Sequence, residues 1–203
     1  MTLESDKSLG GVGALLVVIG FLGFFAYGYL ALLGIIGMII TLIALKGMAD
    51  HYNEGGIFNN ALYGVITFII GVVAFVATLV IAILMILANV VNWSDMAAVQ
   101  TYFMDLTHIW NIIGAAIAAL VVLFVFTIVS AIFFRKSLTS LSAKSGEKIF
   151  ETAGLLWLIG AVLTIILVGL ILIGIAWILI AVGFFSIRST PAQPPSQIQP
   201  PPA

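Results

Sequence analysis

Two short clusters of titratable side chains are the parts of this sequence best suited to chemistry. The first is Asp50, His51 and Glu54, and the second is Asp105 with His108 one helical turn later. Carboxylates and imidazoles together can ligate a divalent metal or exchange protons as acid and base. If one helix contains the whole first cluster, Asp50 and Glu54 share a face, with His51 within reach of Glu54.

Each cluster also has a simpler interpretation. The first lacks a second histidine or a further carboxylate nearby, so a solvated helix end is favoured over a metal site. The second lacks a nucleophile or metal partner, so His108 is favoured as an interfacial histidine, with a pH-sensitive contact to Asp105 as the alternative. All five residues are weak candidates for polar functional contacts, and we assign no catalytic, cofactor-binding or metal-ligating residue.

The sequence lacks the motifs that mark common enzymes. It contains no cysteine, which excludes disulfides, thiolate metal sites and cysteine nucleophiles. No GxSxG, HExxH, dinucleotide-binding or phosphate-loop pattern occurs. The net charge of −1 offers no basic surface that could follow a nucleic-acid backbone. We therefore expect neither an enzyme nor a nucleic-acid-binding protein, and no cofactor.

The composition indicates a chain that lies in a bilayer. Hydrophobic residues make up 63% of the chain and charged residues 7%, and the mean hydropathy is +1.30. A soluble domain has about a quarter of its residues charged, so this chain would precipitate from water. We expect an integral membrane protein.

Four stretches without a charged residue set the number of membrane crossings: 8–45, 55–94, 106–134 and 152–187. One crossing needs about 20 residues, because a helix rises about 1.5 Å per residue through about 30 Å of hydrocarbon. The first and last stretches are too long for one crossing and predict hairpins that turn near residues 27–29 and 168–169. The middle two predict single spans over 61–88 and 109–134, which gives six spans.

The basic residues give an independent test of that number. With six spans they all fall on one side of the membrane, whereas four spans would divide them between the two sides: Lys7, Lys46, Arg135, Lys136, Lys144, Lys148 and Arg188. Because Lys and Arg concentrate in cytoplasmic loops, six spans with both termini in the cytoplasm is the better interpretation. The expected location is the cell membrane.

Two polar segments between the spans carry further predictions. The outer segment 92–108 has no basic residue and apolar residues at helical spacing, which favours a short interfacial helix N-capped by Ser94, with a lid over an outer vestibule as the alternative. On the cytoplasmic side, residues 135–144 place three basic residues beside Leu138 and Leu141. This pattern suits anionic membrane lipids, and Gly146 predicts the stop that follows.

The chain divides into one transmembrane domain over 1–188 and a tail over 189–203. The tail holds all six prolines and no charge, so we expect it to be disordered and extended in the cytoplasm. A passive tail is favoured over a ligand for a proline-binding domain.

Small residues and hydroxyls supply the contacts between the spans. Gly10 with Ala14, and Gly114 with Ala118, have the spacing that lets two helix backbones approach closely, as in a compact bundle or an oligomer. No charge lies within a predicted span, which disfavours a proton relay. Aligning residue 13 with residue 153 pairs Gly20 with Gly160, and it suggests a parallel repeat of the first and last hairpins.

A resemblance to a known family rests on two blocks of sequence. The first is ALKGMADHYN over 44–53 with GIFNNALYG over 56–64, and the second is FFRK over 133–136 with AGLL over 153–156 and FFSI over 184–187. The chain resembles the small, mainly archaeal membrane proteins known as domain of unknown function 996. The resemblance implies a polytopic membrane protein without an assigned activity, so it identifies no functional residue.

These observations predict an all-α integral membrane protein, a six-helix bundle built from three helical hairpins. The expected function is a non-catalytic structural or accessory role, with membrane lipids and a homo-oligomer or larger membrane complex as partners. The alternative is a channel or carrier for a small uncharged solute, which glycine-rich helices and in-span Asn and Thr side chains favour.

Overall fold

The computed structural model describes residues 2–89 and 94–188, and this part of the chain contains helices and no strand. Six helices are long and apolar enough to cross a membrane, which confirms the predicted number. The helices are α1 Leu3–Ala26, α2 Ala31–His51, α3 Gly55–Asn89, α4 Met96–Met104, α5 Leu106–Ser145, α6 Ile149–Leu163 and α7 Val168–Ser186, with 3₁₀ turns at Gly28–Leu30 and Thr164–Ile166. The predicted tail over 189–203 lies outside the described residues.

The six spans close into a ring. Each span packs against the spans before and after it in the chain, with the short helix α4 passed over, and α7 packs against α1. The most densely packed part of the ring lies where α1 begins and α7 ends, and there the Lys7 ammonium donates a hydrogen bond to the Ile187 carbonyl at 3.2 Å. We call this end of the ring the core end and the opposite end the outer end. Large, fully buried side chains fill the core end: Leu45, Met48, Ile57, Leu138, Leu141, Phe150, Ile180 and Phe184.

The chain reverses close to both predicted turns, but by different means. The first reversal lies at Gly28–Leu30, as predicted. The second lies at Thr164–Ile166, before the predicted glycine, and Leu167 adopts the left-handed conformation there with φ 64°. Gly169 packs instead directly on the Gly160 carbonyl, where a Cβ atom would overlap it. The glycine is therefore needed for helix packing rather than for the turn.

Glycines also bring α1 and α2 together. Gly20 lies against the backbone of Gly34, so closely that a Cβ on Gly20 would overlap the Gly34 nitrogen. Gly20 and Gly160, which the repeat alignment pairs, thus both lie where the two helices of a pair approach most closely. Such backbone contact is the main source of helix association in lipid, where apolar burial contributes little.

Hydroxyls connect α3 to α5 in the half of that pair nearer the core end. The Ser130 hydroxyl donates to the Gly64 carbonyl at 2.8 Å, and the Ser137 hydroxyl donates to the Ile57 carbonyl. Leu138 and Leu141 are buried on the same face of α5. The lipid contact predicted for residues 135–144 therefore does not include these two leucines, because the segment continues helix α5 and turns them inward. Gly146 ends α5 as predicted, with φ 77°.

The outer parts of α3 and α5 extend well past the other spans. The 3₁₀ turn before α7 lies beside residues 120–127 of α5, and the outer end of α1 lies beside Val72 and Val73 of α3. From this contact with α1, residues 73–88 of α3 continue outward for about 24 Å. None of these residues is buried. We call residues 73–88 of α3 together with residues 106–122 of α5 the outer arm.

The short helix α4 forms where a helix was predicted, but its cap differs. The Asp95 carboxylate accepts hydrogen bonds from the Ala97 and Ala98 amides, at 2.9 and 3.4 Å. Asp95 therefore caps α4, and the prediction of Ser94 as the cap is wrong. A carboxylate at this position also complements the partial positive charge of the helix N-terminus, an advantage that a serine hydroxyl lacks.

Candidate functional site

The first cluster of titratable residues is divided between two helices. Helix α2 ends at His51, and Asn53 has a left-handed backbone with φ 51°. Asp50 forms an ion pair within α2, to the Lys46 ammonium at 2.7 Å. Glu54 accepts from the Gly56 amide at the start of α3. Asp50 and Glu54 therefore do not share one helix, which was the condition for placing them on one face.

Each member of this cluster has its own local partner. Glu54 forms an ion pair with Lys144 at 3.6 Å, which joins the start of α3 to the end of α5. His51 packs edge-on against Tyr52, with ring centroids 5.0 Å apart, and burial raises the pKa of the Tyr52 phenol. Within residues 2–89 and 94–188, no three His, Asp or Glu side chains gather as a metal site would require. Of these contacts, the Glu54–Lys144 pair joins two helices, and the others are local to the end of α2.

The second cluster forms the junction between α4 and α5. Asp105 caps α5 by accepting from the Thr107 amide at 2.7 Å, and this hydrogen bond, aided by the charge of His108, lowers the pKa of its carboxyl. His108 lies 3.7 Å from the same carboxylate. Its ring stacks on Tyr102 of α4, with centroids 3.9 Å apart.

Tyr102 and His108 line an outer cavity of about 360 Å³ between α3, α4 and α5, with Asn111 as a further polar lining residue. The His108 Nδ1 atom is buried and makes no hydrogen bond in the described part of the chain. Among its lining side chains, only these three bring a polar group. The cavity thus offers a phenol, an imidazole and an amide, with no carboxylate, serine or threonine among its lining residues.

A second cavity, which we call the chamber, lies among all six spans in the outer half of the ring. Its volume is about 330 Å³. Every span contributes at least one lining side chain, and an aromatic group forms its inner wall. The lining comprises Phe21, Met38, Phe68, Val72, Leu123, Thr127, Ser130, Phe134, Trp157, Thr164, Leu170, Ile173 and Trp177.

The aromatic wall separates the chamber from the densely packed core end. Phe134 stacks on Trp157, with ring centroids 4.4 Å apart and rings inclined by 11°, and the ring centroids of Trp157 and Trp177 lie 4.8 Å apart. These tryptophans are only 7% and 4% exposed. Beyond them lie the fully buried side chains of the core, so no open path continues toward the core end through the described residues.

The hydroxyls of the chamber are already paired. Thr127 donates to the Leu123 carbonyl at 2.8 Å, and Thr164 donates to the Gly160 carbonyl at 2.9 Å. Ser130 donates to Gly64 of α3, as described above. A buried water needs two to four polar partners, and apolar cavities without them stay dry. The chamber is therefore suited to hydrocarbon rather than to water.

The sequence predictions missed the residues that build the chamber and one buried carboxylate. Trp157 and Trp177 lie within uncharged hairpin sequence, away from the interfacial positions that tryptophan prefers, and this unusual placement is the signal that could have indicated them. Asp6 is only 1% exposed and packs directly on Gly47, and its Oδ1 atom makes no hydrogen bond in the described residues. Its position in the first turn of an apolar helix gave no indication of burial.

Comparison with known proteins gives a consistent result. A family whose description reads "Protein of unknown function (DUF996)" matches residues 33–178. The uncharacterized protein MJ1644 of Methanocaldococcus jannaschii is 28% identical over 187 residues, which cover 92% of this chain and 94% of that protein. No solved structure matches the chain.

Proposed function

Because the chain belongs to the DUF996 family, for which no activity is known, we propose from its geometry that it is a non-catalytic membrane protein that assembles into homo-oligomers. The observation that carries this proposal is the outer arm. Most of its side chains are apolar, and the rest of the chain leaves many of them exposed, as at Leu84 and Ile117. A surface of this kind is suited to helix packing between copies within the membrane.

A glycine of the arm supports the same proposal. A Cβ on Gly114 would meet no heavy atom within 4 Å, whereas Gly20, Gly71 and Gly160 are each pressed against a neighbouring helix. Glycine in an apolar helix costs about 1 kcal/mol relative to alanine, a cost that close helix contact offsets. The open side of Gly114 is thus the natural place for a helix of a second copy.

Helix length gives a further argument. The apolar part of α3 over 61–88 is about 42 Å long, compared with about 30 Å of hydrocarbon. The last span, Val168–Ser186, has only 19 residues, or about 28 Å. One chain therefore presents spans of very different length to one bilayer, and oligomerisation through the long pair relieves part of this mismatch.

The non-catalytic part of the proposal rests on the dispersal of the polar groups. Asp50 and Glu54 are held by separate lysines, and Asp105 with His108 lies at the opposite end of α5. The alternative of a channel for a small uncharged solute gains little support, because the chamber is apolar and its cytoplasmic side is filled by the core.

The proposed orientation puts both termini in the cytoplasm. The six-span arrangement gathers the basic residues at the end where α1 begins and α7 ends, and the opposite junction carries Asp95 and Asp105. This asymmetry supports the orientation through the preference of Lys and Arg for cytoplasmic loops.

Crosslinking tests the proposal directly, because the chain has no native cysteine. Gly114→Cys should form disulfide-linked dimers in native membranes treated with a membrane-permeable oxidant. Ile35→Cys is the matched control, since Ile35 is an apolar residue of α2 that is 59% exposed and lies outside the arm. Equal crosslinking of both variants would refute assembly through the arm. The absence of crosslinking in both variants, together with a monodisperse monomer in mild detergent, would refute it as well.

A further inference from the structure

A groove on the membrane-facing surface lies directly beside the central chamber. It lies between the α1–α2 pair and α3, with a volume of about 610 Å³. Phe21, Met38, Phe68 and Val72 line both the groove and the chamber. These four side chains therefore form the boundary between the interior of the ring and the surrounding lipid.

We propose that the chamber is a binding site for the hydrocarbon chain of a membrane lipid, which enters from the bilayer through this groove. The groove opens among side chains that are exposed to the bilayer, such as Ile39, Ile69 and Val73. Lipid chains are thus the molecules present at the entrance. No charged side chain lines the groove or the chamber, so a lipid headgroup stays at the entrance.

The walls of the chamber select for hydrocarbon. Its three hydroxyls are paired with main-chain carbonyls, two on their own helices and one on α3. Water that entered would exchange its own hydrogen bonds for apolar contacts. An apolar cavity of about 150 Å³ holds benzene, and this chamber is about 330 Å³. Its size therefore suits the terminal part of one acyl or isoprenoid chain.

Shape determines how far that chain penetrates. The stacked Phe134 and Trp157 rings, with Trp177 beside them, close the cytoplasmic side of the chamber. A chain that enters between α2 and α3 ends against these rings. The two tryptophans, which are nearly inaccessible from outside the ring, are consequently natural reporters of the occupant.

Fluorescence quenching by brominated lipid tests the site. The full chain is reconstituted in vesicles of phosphatidylcholine brominated near the acyl terminus, with Trp93→Phe and Trp110→Phe so that only Trp157 and Trp177 emit. Bromine quenches tryptophan at contact, so emission should fall to roughly half of its value in unbrominated vesicles. Unchanged emission in the brominated vesicles overturns the proposal.

Two further substitutions separate an internal chain from lipid around the protein. Thr127→Phe adds a ring inside the chamber and should abolish most of the quenching. Val129→Phe adds the same ring to the lipid-facing side of α5, where Val129 is 38% exposed, and should leave the quenching unchanged. Equal quenching in both variants, with unchanged helicity by circular dichroism, shows that the bromines act from outside and overturns the proposal.

A water-soluble quencher gives the remaining test. Acrylamide should leave Trp157 and Trp177 almost unquenched, because hydrocarbon fills the chamber. Strong quenching by acrylamide without quenching by brominated lipid reveals a wet chamber, and this result overturns the proposal in favour of an aqueous path.

Discussion

Gly20 and Gly34 face each other between α1 and α2, but they predict opposite responses to the same substitution. In Gly20→Ala, the new methyl group lies 2.5 Å from the Gly34 Cα and overlaps the Gly34 nitrogen. These are backbone atoms that cannot rotate away, so the two helices must separate. In Gly34→Ala, the nearest atoms are the Gly20 Cα at 3.7 Å and the Val17 oxygen at 3.9 Å, which is ordinary van der Waals contact.

The magnitudes follow from two opposing effects. Overpacking costs about 1–3 kcal/mol, and alanine gains about 1 kcal/mol over glycine in a helix. Gly20→Ala should therefore destabilise the fold by up to about 2 kcal/mol, whereas Gly34→Ala should stabilise it by about 1 kcal/mol. The two variants differ by about 1–3 kcal/mol, so with a shift of about 2–4 °C per kcal/mol at this chain length their unfolding midpoints should differ by roughly 2–12 °C.

Thermal unfolding in one detergent, followed by tryptophan emission, measures this difference. Gly114→Ala is the control for helix propensity alone, because its new methyl group meets nothing within 4 Å. Equal midpoints for Gly20→Ala and Gly34→Ala would refute the proposed packing of α1 on α2. A lower midpoint for Gly34→Ala than for Gly20→Ala would show that the register of the two helices is different.

Three further predictions concern polar groups. The folded pKa of Asp105 lies below its ordinary value of 3.8. Its cap therefore stabilises the α4–α5 junction above that pH, and this stabilisation is lost as the pH falls through the folded pKa. Hydrogen exchange of the junction should show this acid response, and Asp105→Asn should remove it. Asp6→Asn should stabilise the fold by on the order of 1 kcal/mol, because burying an unpaired amide oxygen costs less free energy than burying an unpaired carboxylate. A lower unfolding midpoint for Asp6→Asn would contradict this and would indicate a cationic partner of Asp6. Ser130→Ala should lower the stability by about 0.6 kcal/mol, the mean for interhelical hydrogen bonds in membranes. Thr78→Val should lower it by almost nothing, because Thr78 donates to the Ala74 carbonyl of its own helix. Equal unfolding midpoints for the two variants would contradict this distinction.

The spans could be predicted from the sequence because they depend on two simple quantities. The lengths of the uncharged stretches fix how often the chain crosses about 30 Å of hydrocarbon, and the basic residues decide between four and six crossings. The reversal at Gly28–Leu30 followed from the same lengths. Each of these inferences needs only the local sequence and the thickness of the bilayer.

Contacts between elements distant in the sequence could not be predicted in this way. Glu54 lies after the end of α2, next to the start of α3. Its carboxylate pairs with the ammonium of Lys144, ninety residues later, at 3.6 Å. Gly169 appeared to be the turn residue, but its contact with Gly160 gives it a packing role, and Leu167 takes the strained turn conformation instead. A glycine in an apolar hairpin satisfies either requirement, and the sequence alone does not distinguish them.

The chamber arises from the unequal use of small and large residues along the spans. Glycine contacts draw α1 against α2 and α6 against α7 through their outer halves, as at Gly20 and Gly160. The three pairs meet one another closely at the core end, where Phe184 of α7 lies against Gly10 of α1 and Leu138 of α5 lies against Gly154 of α6. Pairs that are tight within themselves and joined mainly at one end leave a gap at the other. The same distribution that makes the core end solid therefore leaves the chamber in the outer half of the ring.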